Sequence, residues 1–449
     1  MNFLSMCFIL ALPIIFLLYN FIPGKLRMPL LLLSSWGFYL YGNPESFWIL
    51  ILITVISYLF GLIVDSKKSL PVLITGILAI LSFLLIFKYS GLNFILPIGI
   101  SFYTFQTLSY LIDVYKGTYK AERNFFDYSL FVSFFPQLVA GPIERPGKLI
   151  PQLKSCKNPS SSNLKEAVIL LSTGYYKKIV VADFVAPFVN HIFESPSSFE
   201  GAALLFGSVM FSVQIYADFS GYSDIARGCA KLFGIDLSMN FDHPYLSKNL
   251  REFWRRWHIT LTRWFTDYIY IPLGGSRKGK KRAILNTLIV FLVSGIWHGY
   301  GLTFILWGLG HGIVVLLEDI NVIKKLRSKL PSYANIIINF LIVNFLWIFF
   351  RARNLGDAKV YICKLFSGWQ NAPSSLADVF TSLSISTSKG LIFIALGAAS
   401  LYLLPQYLKK KIPERNIFAC IFLMILITLF SKMYQIESGI ENSFIYFRF

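Results

Sequence analysis

The side chains best suited to acid–base chemistry in this 449-residue sequence are two of its five histidines, His258 and His298. Each directly follows a tryptophan, Trp257 or Trp297, in a chain that is otherwise strongly apolar. The unperturbed pKa of a histidine is about 6.5, so a neutral imidazole can accept a proton from a hydroxyl group near neutral pH. A hydroxyl activated in this way becomes a nucleophile without the help of a metal ion. Because the sequence has no metal-ligand cluster and no Gly-x-Ser-x-Gly motif, we expect neither a metal nor a tightly bound cofactor.

The depth of His298 follows from the basic loop that precedes it, Arg277–Arg282. Lysine and arginine cost several kcal/mol in hydrocarbon, so this loop faces water, and the positive-inside bias places it in the cytoplasm. The next segment, Ala283–Trp297, is largely apolar. The helix from Arg282 to His298 is roughly 24 Å long, which is less than the ~30 Å of a hydrocarbon core. His298 should therefore lie inside the membrane, where an ionisable residue is a candidate functional residue.

Two interpretations of His298 remain open at this point. The ring could bond a carbonyl of a neighbouring helix and do nothing else, or it could belong to a built site. Gly295 and Gly299 flank it and are expected to leave room beside the ring. The second Trp-His pair, at His258, favours the built site. A single histidine can serve helix packing alone, whereas two histidines that each follow a tryptophan suggest one common site.

The segment Leu250–Tyr268 alternates arginine with tryptophan and phenylalanine. This composition is typical of a helix at the membrane interface, with its apolar side in the lipid and its arginines near headgroups or ligand phosphates. Anchoring alone would explain it. Because His258 belongs to the segment, we favour binding of a phosphate-bearing donor instead. The candidate donor-binding residues are Arg255, Arg256, Trp254 and Trp257.

Three further residues are candidates for lining the site: Asp218, Asp224 and His311. The two aspartates lie near the inner end of an apolar span and could orient a histidine or bond an arginine. Asp224 could instead pair with Arg227 on one helix face. His311 lies between two glycines, which favours close helix packing, with site lining as the alternative.

The composition indicates a polytopic α-helical membrane protein, because 55% of the residues are hydrophobic and only 14% are charged. Long apolar runs favour helices over the short alternating strands of a closed barrel. We predict an all-α bundle of about 12 spans in the lipid bilayer, both termini outside, with the last span at Ile417–Lys432. Interfacial and re-entrant helices are expected as well. The re-entrant segment is Phe126–Ile143, for which a surface loop with an aromatic helix is the alternative. The net charge of +19 fits basic residues in alternate cytoplasmic loops and not a nucleic-acid-binding surface.

The chain is predicted to form a single integral membrane domain with three parts. Residues 1–93 supply scaffold helices, residues 94–319 the catalytic core and residues 320–449 the C-terminal helices. Lys148–Lys165 is polar and basic and is expected to be a cytoplasmic loop. Arg351–Lys389 is expected to form an outer region without strong periodicity.

Several segments resemble the signatures of the membrane-bound O-acyltransferase family. The central one is FWRRWHITLTRWFTDYIYIPLGGSRKGKK, followed by SGIWHG and WGLGHG. Its PLGG element, Pro272–Gly275, most resembles the bacterial branch that O-acetylates alginate and peptidoglycan. Other segments similar to that branch are LPIGISFYTFQTLSYLIDVYKG, FFPQLVAGPIERP, QIYADFSGYSDIARGCAKLFG and the terminal FIYFRF. The resemblance runs from about Leu96 to Trp307 and returns at the C-terminus.

This resemblance implies an O-acyltransferase whose catalytic histidine is His298 and whose second active-site histidine is His258. It implies that an acetyl group from acetyl-CoA in the cytoplasm is passed outward across the bacterial cytoplasmic membrane. The implied recipient is a secreted or membrane-anchored acyltransferase of the SGNH-hydrolase type. That partner would modify alginate, peptidoglycan or another envelope glycan.

Two other functions remain open. A related branch of the family takes D-alanine from a carrier protein for teichoic acid, although the PLGG element favours the acetylating branch. A transporter or lipid flippase would instead use the histidines and arginines to form a passage. Many transporters have paired halves with broken helices in corresponding positions, whereas this chain has one asymmetric block, which favours the enzyme.

Overall fold

The computed structural model of the chain describes residues 3–90 and 95–411, and within these ranges it is helical, without β-strands. The predicted all-α class is thereby confirmed. The described residues form two compact units. Unit 1 comprises residues 3–90, 95–175, 222–239 and 407–411, and unit 2 comprises Tyr176–Gly221 and Asn240–Gln406.

Unit 1 is built from short and long apolar helices in the first part of the chain. In order they are α1 (Met6–Phe21), α2 (Gly24–Gly42), α3 (Phe47–Lys67), α4 (Leu70–Tyr89), α5 (Ile100–Lys116), α6 (Phe125–Ser133), α7 (Phe135–Leu138), α8 (Pro146–Ser155) and α9 (Ser161–Tyr175). The interior helix is α5, in which every residue from Phe102 to Leu111 is buried. One of its buried polar side chains, Gln106, donates to the Phe131 carbonyl of α6 at 2.5 Å.

Unit 2 contains most of the residues singled out from the sequence. After a π-helical turn at Tyr176–Ala182, its helices are α10 (Asp183–Glu194), α11 (Gly201–Leu232, which enters unit 1 after Gly221), α12 (Leu250–Arg256), α13 (Ile259–Phe265), α14 (Lys280–His298), α15 (Leu302–Leu317), α16 (Asn321–Lys329), α17 (Ser332–Arg351), α18 (Leu355–Leu365), α19 (Ala372–Ser382) and α20 (Thr387–Lys411, of which Tyr407–Lys411 belongs to unit 1).

In unit 2, α14 and α15 pack closely against each other, and glycines make that approach possible. A Cβ atom added to Gly308 would collide with the Phe291 carbonyl oxygen, and one added to Gly295 would collide with the Phe304 carbonyl oxygen. The space beside Gly299 is filled by the ring of Phe304. The expectation that Gly295 and Gly299 leave room beside the His298 ring is therefore wrong: the glycines admit the neighbouring helix.

Five of the described helices are long and apolar enough to cross a membrane: α3 with the turn before it, α4, α11, α17 and α20. A sixth span results if α15 and α16, which are bent by 80° relative to each other, count as one. The expected number of about 12 spans is not confirmed by this part of the chain. The predicted last span, Ile417–Lys432, and the terminal FIYFRF segment lie outside the described residues.

Two regions expected to lack regular structure are helical. Much of Lys148–Lys165 is α8, whose buried face of Leu149, Ile150 and Leu153 makes it amphipathic. The region Arg351–Lys389 contains α18 and α19. In both cases a short apolar stripe among polar residues was enough to bury one helix face.

Candidate functional site

The Trp–Arg segment is two short helices, not the single interfacial helix expected over Leu250–Tyr268, and the break between α12 and α13 carries His258. His258 has φ +42°, in the left-handed region that residues with a side chain rarely adopt. The turn is held by Asn240: its carbonyl accepts the Ile259 N–H at 2.9 Å, and its side-chain oxygen accepts the Thr260 hydroxyl at 2.6 Å. Backbone strain of this kind is concentrated at functional sites in proteins.

The ring of His258 is 1% exposed and lies among aromatic side chains. Its centroid is 4.7 Å from that of Phe219, and the two rings are close to perpendicular. Phe241 lies on another side, at 6.5 Å. Burial lowers the pKa of His258 well below its ordinary value, so the ring is neutral at physiological pH.

His298 is the last residue of α14, and its ring is 4% exposed. Aromatic rings packed against it include Trp297 at 4.6 Å, Trp307 at 5.0 Å and Phe350 at 5.0 Å between centroids. The side chain therefore comes from a helix end and lies against α15 and α17, the helices that carry Trp307 and Phe350. A base at a helix end can be reached from the loop side while its backbone stays fixed by the helix.

An aromatic cluster connects the surroundings of the two histidines. Its members are Phe241, Trp257, Trp307, Trp347 and Phe350. Starting from His258, the ring contacts run from Phe241 to Trp257 at 5.0 Å, from Trp257 to Trp347 at 5.2 Å and from Trp347 to Phe350 at 5.2 Å. Phe350 then contacts His298. The two Trp-His pairs of the sequence thus border one continuous apolar region of unit 2.

A cavity of about 410 Å³ lies beside this cluster and is lined by α12, α13, α14, Val315 of α15 and the π-helical turn Thr266–Tyr270. From α12 it is lined by Arg251, Trp254 and Arg255. On α14 its lining reaches Ser294, one helical turn before His298. The cavity therefore runs along the helix whose last residue is the candidate base.

The candidate donor-binding residues do not share one environment. Trp254 and Arg255 line the cavity, and Arg255 makes no ion pair with any residue that the structure describes. Arg256 is paired with Glu252 at 2.7 Å, one turn earlier on α12. Trp257 lies inside the aromatic cluster with 1% exposure. Arg251, which the sequence left aside, lines the cavity and is paired with Asp319.

Asp218 is part of a buried ionic group that the sequence did not reveal. Lys178 on the π-helical turn donates to Asp183 at 2.9 Å and to Asp218 at 3.2 Å, and all three side chains are at most 5% exposed. A lysine in the middle of an apolar run requires a carboxylate, because a lone buried charge is costly. From the sequence, Lys178 could therefore be expected to pair with a carboxylate. Its partner Asp218 could not be identified, because it lies 40 residues away in the chain.

Asp224 lies in unit 1, where it faces Arg227 at 4.0 Å on the same helix. This is the geometry of the alternative considered from the sequence. Arg227 also approaches Glu166 of α9 at 3.7 Å. Asp224 therefore belongs to an ion-pair network of unit 1, while His258 and His298 belong to unit 2.

His311 is fully buried on α15, and five aromatic rings lie around it, among them that of Trp347 at 6.3 Å. Trp254 lies at 5.0 Å and Trp307 at 5.2 Å, both at steep angles to the imidazole. Phe253 and Phe291 lie at 6.3 Å with nearly parallel rings. A Cβ atom added to the glycines beside His311 would contact Leu346 at Gly310 and Phe291 at Gly312, so the helix is closely packed here. Phe291 also lines the cavity, so His311 lies near the cavity wall as well.

The PLGG turn is fixed to the start of α14 by a buried asparagine. Asn286 donates to the Gly275 carbonyl at 3.0 Å, and Arg282 donates to the Leu273 carbonyl at 3.0 Å. Gly274 and Gly275 both have positive φ, which explains why glycine is needed there. The turn therefore sets where α14 begins and, through that helix, the position of His298.

These features together suit acyl transfer. A histidine lies one helical turn from a cavity with an arginine at its wall, in a region of aromatic side chains that keeps bulk water away. Among the residues that the structure describes, no group of three or more histidine, cysteine or acidic side chains could hold a metal ion. Of the residues that form this site, the sequence motifs contained Trp307 but gave no indication of Trp347 or Phe350.

Comparison with known proteins places these residues in a larger group. A model of the membrane-bound O-acyltransferase family matches residues 123–356. The chain is 35% identical over 400 residues to a peptidoglycan O-acetyltransferase of Helicobacter pylori, covering 77% of this chain and 76% of that protein. It is 34% identical over 408 residues to a probable alginate O-acetylase of Pseudomonas aeruginosa, with 84% and 77% covered. A teichoic acid D-alanyltransferase of Bacillus subtilis is 28% identical over 256 residues, with 54% and 63% covered.

Proposed function

The chain belongs to the membrane-bound O-acyltransferase family and is a multi-pass membrane enzyme, and we propose that it moves acetyl groups from cytoplasmic acetyl-CoA towards an envelope glycan. The proposed location is the bacterial cytoplasmic membrane. The observation that carries the proposal is the position of His298 at the end of α14, one turn beyond the cavity that reaches Ser294. The cavity gives a thioester a path to a side chain that can act as a base.

In the proposed reaction, His298 is the general base. It takes the proton of an acceptor hydroxyl while the hydroxyl oxygen attacks the carbonyl carbon of the thioester. The carbonyl electron pair moves onto oxygen, and when it returns the carbon–sulfur bond breaks. The departing thiolate takes the proton from the imidazolium, so the products are an ester, a thiol and neutral His298. The second histidine, His258, is proposed to hold the donor or the intermediate.

Arg255 is proposed to bind a phosphate of the donor. It lines the cavity and has no carboxylate partner in the described part of the chain, so its five donors are available for a phosphate. The basic loop Arg277–Arg282 leads into α14 and adds a positive potential that attracts an anionic donor. Coenzyme A carries several phosphate charges at the end opposite its thioester, which suits an apolar cavity with a cationic wall.

The acceptor and the partner are proposed from the relatives. Two relatives, which cover 77% and 84% of this chain, are named for acetylation of peptidoglycan and of alginate. We therefore propose an envelope glycan as the final acceptor, and a secreted or membrane-anchored acyltransferase of the SGNH-hydrolase type as the partner that completes the transfer. In this proposal the partner modifies the glycan outside the bilayer, whereas the donor enters from the cytoplasm.

The test is a donor comparison with the purified protein in liposomes. Acetyl-CoA labelled in the acetyl group and D-alanine carried as a thioester on a carrier protein are supplied separately. Each assay also contains the partner acyltransferase of the SGNH-hydrolase type, with alginate or peptidoglycan oligosaccharides as final acceptors. We expect release of the coenzyme A thiol that depends on His298. Thiol release only from the carrier would replace the acetyl proposal with D-alanyl transfer. Passage of intact acetyl-CoA into the liposomes without thiol release would replace it with transport.

A further inference from the structure

Three side chains next to the cavity have buried ring nitrogens without a hydrogen-bond partner in the described part of the chain. They are His311, with both ring nitrogens, Trp254, with its indole N–H, and Trp307, also with its indole N–H. His311 is 0% and Trp307 is 1% exposed. Nearly all buried polar groups in proteins have a partner, so three in one place call for a common explanation.

The three side chains are neighbours. Ring centroids are 5.0 Å apart between Trp254 and His311, 5.2 Å between Trp307 and His311 and 5.8 Å between Trp254 and Trp307. We call them the indole–imidazole group. A neutral imidazole offers one donor and one acceptor, and each indole offers one donor. The group therefore presents up to three hydrogen-bond donors and one acceptor within a small apolar volume.

The indole–imidazole group lies between the cavity and the candidate base. Trp254 lines the cavity, and Trp307 is 5.0 Å from His298 between ring centroids. A thioester that extends from the cavity towards His298 comes close to these two indoles. Its carbonyl oxygen becomes negatively charged during the attack, and a fixed N–H donor stabilises such a charge strongly where water is excluded.

We propose that the indole N–H groups of Trp254 and Trp307, together with the ring of His311, hydrogen-bond the thioester carbonyl oxygen while the acceptor hydroxyl attacks. This inference rests on the proposed acyl transfer at His298 and adds the groups that hold the reacting carbonyl. As the carbonyl electron pair moves onto oxygen, the N–H donors stabilise it, and no proton leaves the indoles. When the pair returns, the carbon–sulfur bond breaks and the donors are released.

The chain offers a matched control for this inference. Trp347 belongs to the same aromatic cluster and stacks on Trp307 at 5.8 Å, but its indole N–H already donates to the Tyr245 hydroxyl at 3.2 Å. Tryptophan-to-phenylalanine changes at 254, 307 and 347 remove comparable aromatic bulk. Of these changes, only those at Trp254 and Trp307 remove an N–H donor that has no hydrogen-bond partner among the described residues.

The experiment measures kcat and KM for acetyl-CoA with Trp254→Phe, Trp307→Phe and Trp347→Phe proteins of verified thermal stability. We expect Trp307→Phe to lower kcat by about 10²-fold with little change in KM, as for loss of one oxyanion donor. Trp254→Phe should act in the same direction, and Trp347→Phe should lower kcat much less. His311→Phe should also lower kcat, and His311→Gln, which restores a donor and an acceptor, should recover part of the loss.

Equal losses in all three tryptophan variants would overturn the inference, because they would show that aromatic packing alone matters. Near-normal kcat in the Trp254→Phe and Trp307→Phe proteins would overturn it as well, and would assign the unpartnered N–H groups to contacts with neighbouring ring faces. Failure of the proposed function gives a different result. In that case a His298→Gln protein keeps its activity, whereas failure of the carbonyl subsite alone leaves His298→Gln inactive.

Discussion

The rings of His298 and Trp307 are perpendicular, with their centroids 5.0 Å apart. The two residues lie on the consecutive helices α14 and α15, which approach each other closely at Gly295 and Gly308. Because this helix contact fixes both backbones, the indole packs against the imidazole and limits its movement. The glycines, the tryptophan and the histidine therefore act together to place the candidate base.

The first prediction separates two neighbouring arginines of α12. Arg255→Ala should weaken donor binding by about 1.5–3 kcal/mol, because a charge-assisted hydrogen bond to a phosphate is lost. Arg255→Lys should restore only part of it, since lysine lacks the planar fork. Arg256→Ala is the matched control and should leave donor affinity close to normal, because Arg256 is engaged with Glu252. Equal affinities for all of these proteins in an equilibrium binding measurement would make α12 an anchor and nothing more.

The second prediction concerns the left-handed backbone at His258. Asparagine tolerates this conformation better than most residues, so His258→Asn should fold with the ring removed and the turn intact. We expect its thermal stability to stay close to normal and its turnover to fall. His258→Val should lose stability as well, because a branched side chain strains the same turn. Normal turnover in a stable His258→Asn protein would remove His258 from the active site.

The third prediction tests the helix contact that places His298. Gly308→Ala puts a methyl group against the Phe291 carbonyl of α14, and overpacking of this kind typically costs about 1–3 kcal/mol of stability. The expected result is a lower melting temperature together with lower activity. Gly37→Ala is the control, because a Cβ at this helical glycine meets nothing within 4 Å. Equal melting temperatures for the two variants would show that the α14–α15 contact is looser than described.

The fourth prediction concerns orientation in the membrane. In a protein without its native cysteines, a cysteine at Lys280 should be protected from an impermeant thiol reagent in intact cells, because the basic loop is expected in the cytoplasm. A cysteine at the exposed Ser198, in a turn without lysine or arginine, should be labelled. The reverse pattern would invert the topology and place the donor cavity on the wrong side for acetyl-CoA.

Local apolar patterns predicted the helices better than the connections between them. The apolar segment Ala283–Trp297, for example, lies within α14, Lys280–His298. The break at His258 could not be predicted, because it depends on Asn240, which lies in a separate loop. Short helices with a single buried stripe were mistaken for loops.

The chemistry of the site was predictable by residue type but not by partner. The sequence indicates histidines, arginines and tryptophans as the residues of interest. It does not show that Glu252 forms an ion pair with Arg256 while Arg255 lines the cavity. On a helix both arginines lie within reach of that glutamate, so the sequence alone does not distinguish them. Likewise, the pairing of Lys178 with Asp218 depends on tertiary packing between residues far apart in the chain.

The most direct test of the account is the acetyl transfer rate of a purified His298→Gln protein. Glutamine keeps polarity and approximate size but cannot accept the proton, so we predict a loss of about 10²–10⁴-fold in turnover, with expression and donor binding retained. His191→Gln is the control, because His191 makes an ordinary hydrogen bond to the Ser382 hydroxyl at 2.9 Å, and it should keep its activity. Near-normal acetyl transfer by the His298→Gln protein would contradict the assignment of His298 as the base.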